Sequence, residues 1–336
     1  MNMNIENEID LEEVYDNKCY YKFHDQHRVY KDKWCKAFTF NKDDTKLVMG
    51  YNQIIRVYQI NKGELKYVQS ILGHNFDVNC LQWLNNSNQI ISGGHDRKFL
   101  FWPINLISKS KFIIKLVVHH LPITCLIKNS QENLLISGSM DQTINFLELN
   151  LQNQVWKCSQ VLKEHNDTIF ALSLSQDENQ LISCGYDNLI LVLQKSSSQW
   201  IVKQKIFTSV HGYRLCFITD YLFTFQPYNK EEMWIYDNRN SLSQFIMTKS
   251  IHAKSDCQDF GTLFPHQFFP KKAMLLAKHG HYIHLIKMQD SEDFKIQQSI
   301  NYRDQCIYGQ LSNNGEYLVS WDNKSNLIKI RKYVEQ

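Results

Sequence analysis

From residue 34 onward, apolar and polar residues alternate in runs of about five, separated by short stretches rich in Asn, Asp, Ser and Gly. "VNCLQWL", "QIISGG" and "KFLFW" follow one another in this way between residues 78 and 102. A period of two belongs to a β-strand with two distinct faces, and the polar interruptions are turns. No segment beyond residue 30 keeps the 3.6-residue period of an amphipathic helix.

The alternation itself repeats. His74, Val78, Ser92 and Asp96 are matched by His119, Ile123, Ser137 and Asp141, and again by His165, Ile169, Ser183 and Asp187. The aspartates stand 45 and then 46 residues apart. The frame extends one step earlier, with Asn52 at the aspartate position and Tyr58 opposite the place of Trp102, and three steps later through less regular units. Seven units then cover residues 34–331, with segments such as "ELKYVQSIL" and "VWKCSQVL" as fourth strands. Four strands per unit at this period predict an all-β, seven-bladed β-propeller of antiparallel blades. The last unit stops after its third strand, which would expose an unpaired edge. The strand-like "KCYYKFHD" near the N-terminus is expected to fill that place and close the ring. Residues 17–336 are thus expected to form one propeller, and residues 1–16 an acidic flexible tail with at most a short helix.

These residues resemble WD40 repeats. The unit from Gly73-His74 through Asp96 to Trp102 carries the full signature, whereas the third and fourth units end on Leu147 and Leu193. The resemblance implies that His74, Ser92, Asp96 and Trp102, with His119, Ser137, Asp141, His165, Ser183 and Asp187, form buried hydrogen-bond chains that hold turns in place. A hydrolytic reading of the same His, Ser and Asp would need an exposed serine beside an oxyanion hole, and would need it three times over. Residues 187–207 also resemble the corresponding strand, loop, Trp and strand of the cytosolic iron–sulfur assembly propeller, which implies a docking platform for cluster delivery.

Composition changes little in this picture. A hydrophobic content of 43% can fill a core, and a net charge of +3 does not point to nucleic acid as a partner. The nine cysteines lie at least 16 residues apart, so no C-x-x-C exists for a local zinc site or a redox dithiol. Free thiols in a reducing, intracellular setting are expected, cytoplasmic first with nucleus or cilium open. No signal segment or long apolar run predicts membrane insertion. Cys80 and Cys125 fall in a slot that Ala37 and Ala171 occupy elsewhere, and Cys35 and Cys306 at the Val/Ile position; all four read as compact apolar residues.

Two candidate sites remain. His279, His281 and His284 lie close together, and the first two would share one strand face if the strand ran through them. That spacing can hold a metal, and a metal-dependent propeller enzyme is the alternative from another class. The other candidate is the face where second-to-third-strand turns meet the loops entering each first strand. The repeat frame places Tyr51, His95, Met140 and Tyr186 there from the turns, and Phe76, Asp77 and Thr168 from the entering loops. Asn79, Thr124 and Phe170 join them from the strand starts. Aromatic residues and Met are enriched in interface cores. The expectation is a non-catalytic scaffold without cofactor, binding other proteins within a multi-subunit complex.

Overall fold

A strand that is apolar on both faces must be covered on both, and the strands here are stacked so that each sheet lies between two others. The computed structural model describes residues 11–14, 19–28, 34–104, 111–197, 199–239, 244–256, 259 and 264–335. They form seven antiparallel sheets, the blades of a propeller. The second blade is typical: Val78–Leu84, Gln89–Gly94, Lys98–Pro103 and Ile114–Val117 are paired in that order. Its Ile90, Leu100 and Trp102 pack toward the first blade, while Ile91, Phe99 and Phe101 pack toward the third. Seven apolar clusters arise in this way, each between two neighbouring blades. The core is therefore a ring of interfaces, and each blade's stability depends on both its neighbours.

The ring closes at the seventh blade. Cys19–Arg28 pairs antiparallel with Leu327–Glu335 as its outer strand, so the blade contains strands from both chain ends. Tyr21 anchors this strand: it is fully buried, and its hydroxyl donates to the Gly315 carbonyl at 2.8 Å. Its backbone N–H donates to Gln298 of the sixth blade at 2.8 Å. The cluster between blades seven and one then packs Trp321, Tyr308 and Ile330 against Phe38, Met49 and Tyr51.

Within the stretch expected to be a tail, Leu11–Val14 instead pairs with Asn301–Gln298 as a fifth strand on the sixth blade. The outer edge of that blade offers free backbone groups, and a short strand satisfies them. Residues 1–10, 15 and 16 lie outside the described residues.

The turns between second and third strands explain the signature aspartate. In blades two to four these turns end on a residue in the left-handed region: Arg97 (φ 65°), Gln142 (φ 73°) and Asn188 (φ 57°). The aspartate just before it accepts the N–H just after it, from Lys98 to Asp96 at 3.4 Å and from Thr143 to Asp141 at 3.1 Å. A carboxylate in this place holds a turn that a non-glycine side chain would otherwise resist. The first blade lacks the aspartate and has a shorter turn, with only Asn52 and Gln53 between the strands Lys46–Tyr51 and Ile54–Asn61.

Candidate protein-interaction face

One face of the ring is defined by a hydrogen bond repeated in every blade, from a turn N–H to a carbonyl of the loop entering the same blade. The donors are Asn52, His95, Met140, Tyr186, Tyr228, His281 and Asn323. The acceptors are Trp34, Asp77, Pro122, Thr168, His211, Ser255 and Cys306. This frame corrects two expectations in the flanking blades. Tyr51 lies one residue before its expected place: it ends a strand, opposite Cys35, and is 1% exposed. Cys306 likewise precedes the apolar slot, which buried Ile307 takes. Both slips follow from turns that the three aspartate-bearing units could not calibrate.

Below the face, three blades carry the same brace. His74 bonds Asp96 at 2.9 Å through Nδ1 and Ser92 at 2.6 Å through Nε2, and the Trp102 indole donates to Ser92 at 2.7 Å. His119 bonds Asp141 and Ser137 at 3.0 and 2.8 Å, and His165 bonds Asp187 and Ser183 at 2.9 and 2.8 Å. Burial alone would raise the Asp96 carboxyl pKa. The hydrogen bond and charge of His74, with the Asn75 N–H and Lys98, outweigh burial and hold it below the ordinary value. Asp141 and Asp187 are depressed in the same way. Ser92, Ser137 and Ser183 are fully buried, so their hydroxyls meet no substrate.

The residues expected on the face divide by direction. Asn79 and Thr124 are turned inward: Asn79 donates to the Ile123 carbonyl at 2.8 Å and Thr124 to the Ile169 carbonyl at 2.5 Å. Each is nearly fully buried and ties its blade to the next, so neither offers a contact surface. Phe76 and Tyr186 are exposed, at 62% and 51%; Asp77, His95, Met140, Thr168 and Phe170 are half-buried.

Phe170 and Tyr186 belong to a larger patch that the repeat frame did not reveal. Tyr186 packs on His211 with ring centres 4.3 Å apart, and His211 stacks on Tyr228 at 4.5 Å and 18°. Tyr213 meets Phe170 at 4.7 Å and His211 at 5.4 Å. Five rings from blades four and five thus form one continuous surface. Burial lowers the pKa of His211 and pushes that of Tyr213 up to about 12, so the patch is uncharged near neutral pH. Phe170 and Tyr213 also line the axial channel, a cavity of about 370 Å³ running past Cys80, Cys125 and Ala171. Burial pushes the Cys125 thiol up to about 12 and Cys80 higher still, which leaves both as neutral packing groups.

In blade five Arg214 takes the small axial slot of Cys80 and reaches into blade six. It donates to the Phe264 carbonyl at 3.0 Å and pairs with Asp259, which also pairs with Lys278. All three side chains are at most 2% exposed. The carboxylate lies on a connection six residues longer than its counterpart in blade two, from Ser255 to Gln267 against Asp77 to Trp83.

The histidine cluster does not assemble as expected. The strand ends at His279, and Gly280 and His281 form a turn to Tyr282, so His279 and His281 do not share a strand face. Gly280 has φ 53° and no room for a Cβ against the Ser255 carbonyl, which makes the reversal at this point a glycine turn. His279 bonds the Ala253 carbonyl at 3.0 Å, and His284 is buried between Ser299 and the Lys254 carbonyl at 2.8 and 2.9 Å. Among the described residues no group of three or more His, Cys, Asp or Glu side chains is placed to hold a metal ion. No helix among them is long and apolar enough to cross a membrane.

Comparison with known proteins agrees with this geometry. The family model "WD40: WD domain, G-beta repeat" matches residues 65–103, 110–146 and 156–192. The chain carries WD40 repeats over these residues and folds as a seven-bladed β-propeller. It is similar to a chain of the "Crystal Structure of Mitotic Checkpoint Complex", with a TM-score of 0.75 and 15% identity, covering 96% of this chain and 95% of that one. At that identity the likeness is one of fold. No curated protein matches the chain.

Proposed function

We propose that the protein is a docking scaffold that holds a partner protein on the face around blades four and five, within a larger assembly. The observation that supports this best is the five-ring patch of Phe170, Tyr186, His211, Tyr213 and Tyr228. Interlocked rings lose little conformational freedom on binding and bury large area, the properties of interface hot spots. WD40 propellers generally serve as interaction platforms, and the structural neighbour is a chain of the "Mitotic Checkpoint Complex".

The iron–sulfur docking alternative has less support. Residues 187–207 are mostly the third and fourth strands of blade four, and Leu189, Leu191, Val192 and Leu193 fill the clusters between blades. That pattern is what any buried blade requires, whatever its client.

Cross-linking and affinity purification of the wild-type chain, beside a Tyr186→Ser/Tyr228→Ser variant, test the docking reading. A stoichiometric protein partner is expected with the wild type and absent from the variant, with the thermal midpoints of the two chains close. Equal recovery on both, or no stoichiometric partner, would overturn it.

A further inference from the structure

The docking patch is uncharged, but its border is not. Asp167 lies in the entering loop beside Thr168, whose carbonyl accepts the Tyr186 N–H. Glu231 ends the turn that Tyr228 opens, and Glu232 begins the strand after it. All three are exposed; Lys230 precedes the glutamates, and Lys254, next to the Ala253 N–H that donates to the Glu231 carbonyl, lies over the Tyr282 ring near Asp256. The neighbouring Asp187 is turned inward onto His165 and Asn166. Asp167 accepts the Thr168 N–H at 2.6 Å and Glu232 the Trp234 indole at 3.0 Å; each carboxylate has further lone pairs open to water.

We infer that this patch receives an arginine side chain of the partner protein, stacked on the open face of Tyr186 and paired with the carboxylates of the border. The inference rests on the docking reading above. Aromatic faces carry negative potential, and carboxylates beside them add to it, so a cation is the complementary group. A guanidinium suits the arrangement better than an ammonium because it is planar, is weakly hydrated and can bond a carboxylate through two N–H groups while stacking.

The molecule already holds one of its own arginines in this manner. Arg239 lies over the Tyr221 ring at 4.6 Å while its guanidinium pairs with Asp237 at 2.5 Å and Glu292 at 2.6 Å. A tyrosine face flanked by two carboxylates is thus a working arginine seat in this chain. The patch repeats those components with the arginine left to be supplied. An acidic partner segment would meet the exposed carboxylates of Asp167, Glu231 and Glu232, and an aliphatic one would desolvate the border without pairing it.

The probe is the capped tripeptide acetyl-Gly-Arg-Gly-amide, titrated into the full-length protein carrying ¹³C-labelled tyrosine rings. Peptides with lysine, citrulline or glutamate at the centre serve as comparators. The expected result is a saturable shift of the Tyr186 and Tyr228 signals, tightest for arginine. Asp167→Asn and Glu231→Gln, both exposed, should each weaken it about two- to fivefold. Absence of a Tyr186 shift, or equal binding of the uncharged citrulline peptide, would overturn the inference. If the native partner is still lost from the Tyr186→Ser/Tyr228→Ser variant in that case, docking on this face stands and only the arginine falls. If the variant keeps its partner, the docking reading itself fails.

Discussion

Trp102 donates its indole N–H to the Ser92 hydroxyl at 2.7 Å, and this ties the third strand of the second blade into the brace beneath it. Ser92 Oγ also lies 2.6 Å from His74 Nε2 and 3.4 Å from the Leu100 carbonyl, and the Asp96 carboxylate accepts from His74 Nδ1 at 2.9 Å. Each polar group in this buried line has a partner, and removing any one leaves the next unsatisfied.

Asp96→Ala should therefore destabilise the protein by about 1–3 kcal/mol, because the His74 N–H loses its acceptor where water cannot replace it. Asp141→Ala and Asp187→Ala should behave alike. Gly73→Ala should also destabilise, since a Cβ there would stand 2.3 Å from the Trp102 ring. Denaturant unfolding measures all four, and an Asp96→Ala midpoint equal to wild type would refute the brace.

How far the sequence could be read depended on these braces. Where His, Ser and Asp recur, residues 73–193 could be placed to the residue, and Phe76, Met140, Phe170 and Tyr186 lie on or beside the expected face. Where the trio is replaced, the register was lost. In blade seven Tyr302 takes the histidine's part, bonding Ser320 at 2.6 Å, and Arg331 donates to that phenol at 2.8 Å. In blade six Lys278 stands at the serine position. His211, Tyr213 and Tyr228 were missed for the same reason: blade five has no polar signature from which to count. The clue available was "HGY" followed by "PY", ring residues at an entering loop and its matching turn.

The closing strand should be the propeller's most sensitive point. Tyr21 is 0% exposed and is bonded to both blade seven and blade six. Tyr21→Ala should cost about 3–5 kcal/mol by leaving a cavity and leaving the Gly315 carbonyl with Lys272 as its donor at 3.3 Å, and it should loosen the outer strand. Hydrogen exchange is expected to rise first at Leu327–Glu335, its pairing partner. Uniform exchange across all blades would show that closure is not local.

Asp259 offers a different test. Its carboxylate is shared by Arg214 and Lys278, and it is held below the ordinary aspartate range. Burial opposes this, but the charges of Arg214 and Lys278 outweigh burial. Asp259→Asn keeps the shape but strands two buried cations, and should destabilise by about 3–5 kcal/mol. Removing a cation as well, in Asp259→Asn/Lys278→Met, should restore part of that loss. An additive double variant would indicate that the charges do not interact.

Acid sensitivity should begin well above the carboxylate range. Burial, assisted by the Arg214 charge, lowers His266 to about 3; burial also lowers His279 to about 3, against the opposing pull of Asp259. An unfolded histidine takes up its proton near 6.5, whereas these two stay neutral in the native state until about pH 3. Between those values the unfolded chain binds more protons, so stability falls as pH falls, by up to about 1.4 kcal/mol per pH unit for each histidine. The contribution of Asp96, Asp141 and Asp187 has the same sign but is lost later, below the ordinary aspartate value of about 3.9, because their native values are lower still. Unfolding free energies measured from about pH 8 to 4.5 should therefore decline from about pH 6.5 downward. His266→Phe and His279→Phe should each make that decline shallower, whatever their effect at pH 8. A wild-type profile flat between about pH 7 and 5 would mean that these rings reach solvent and titrate normally.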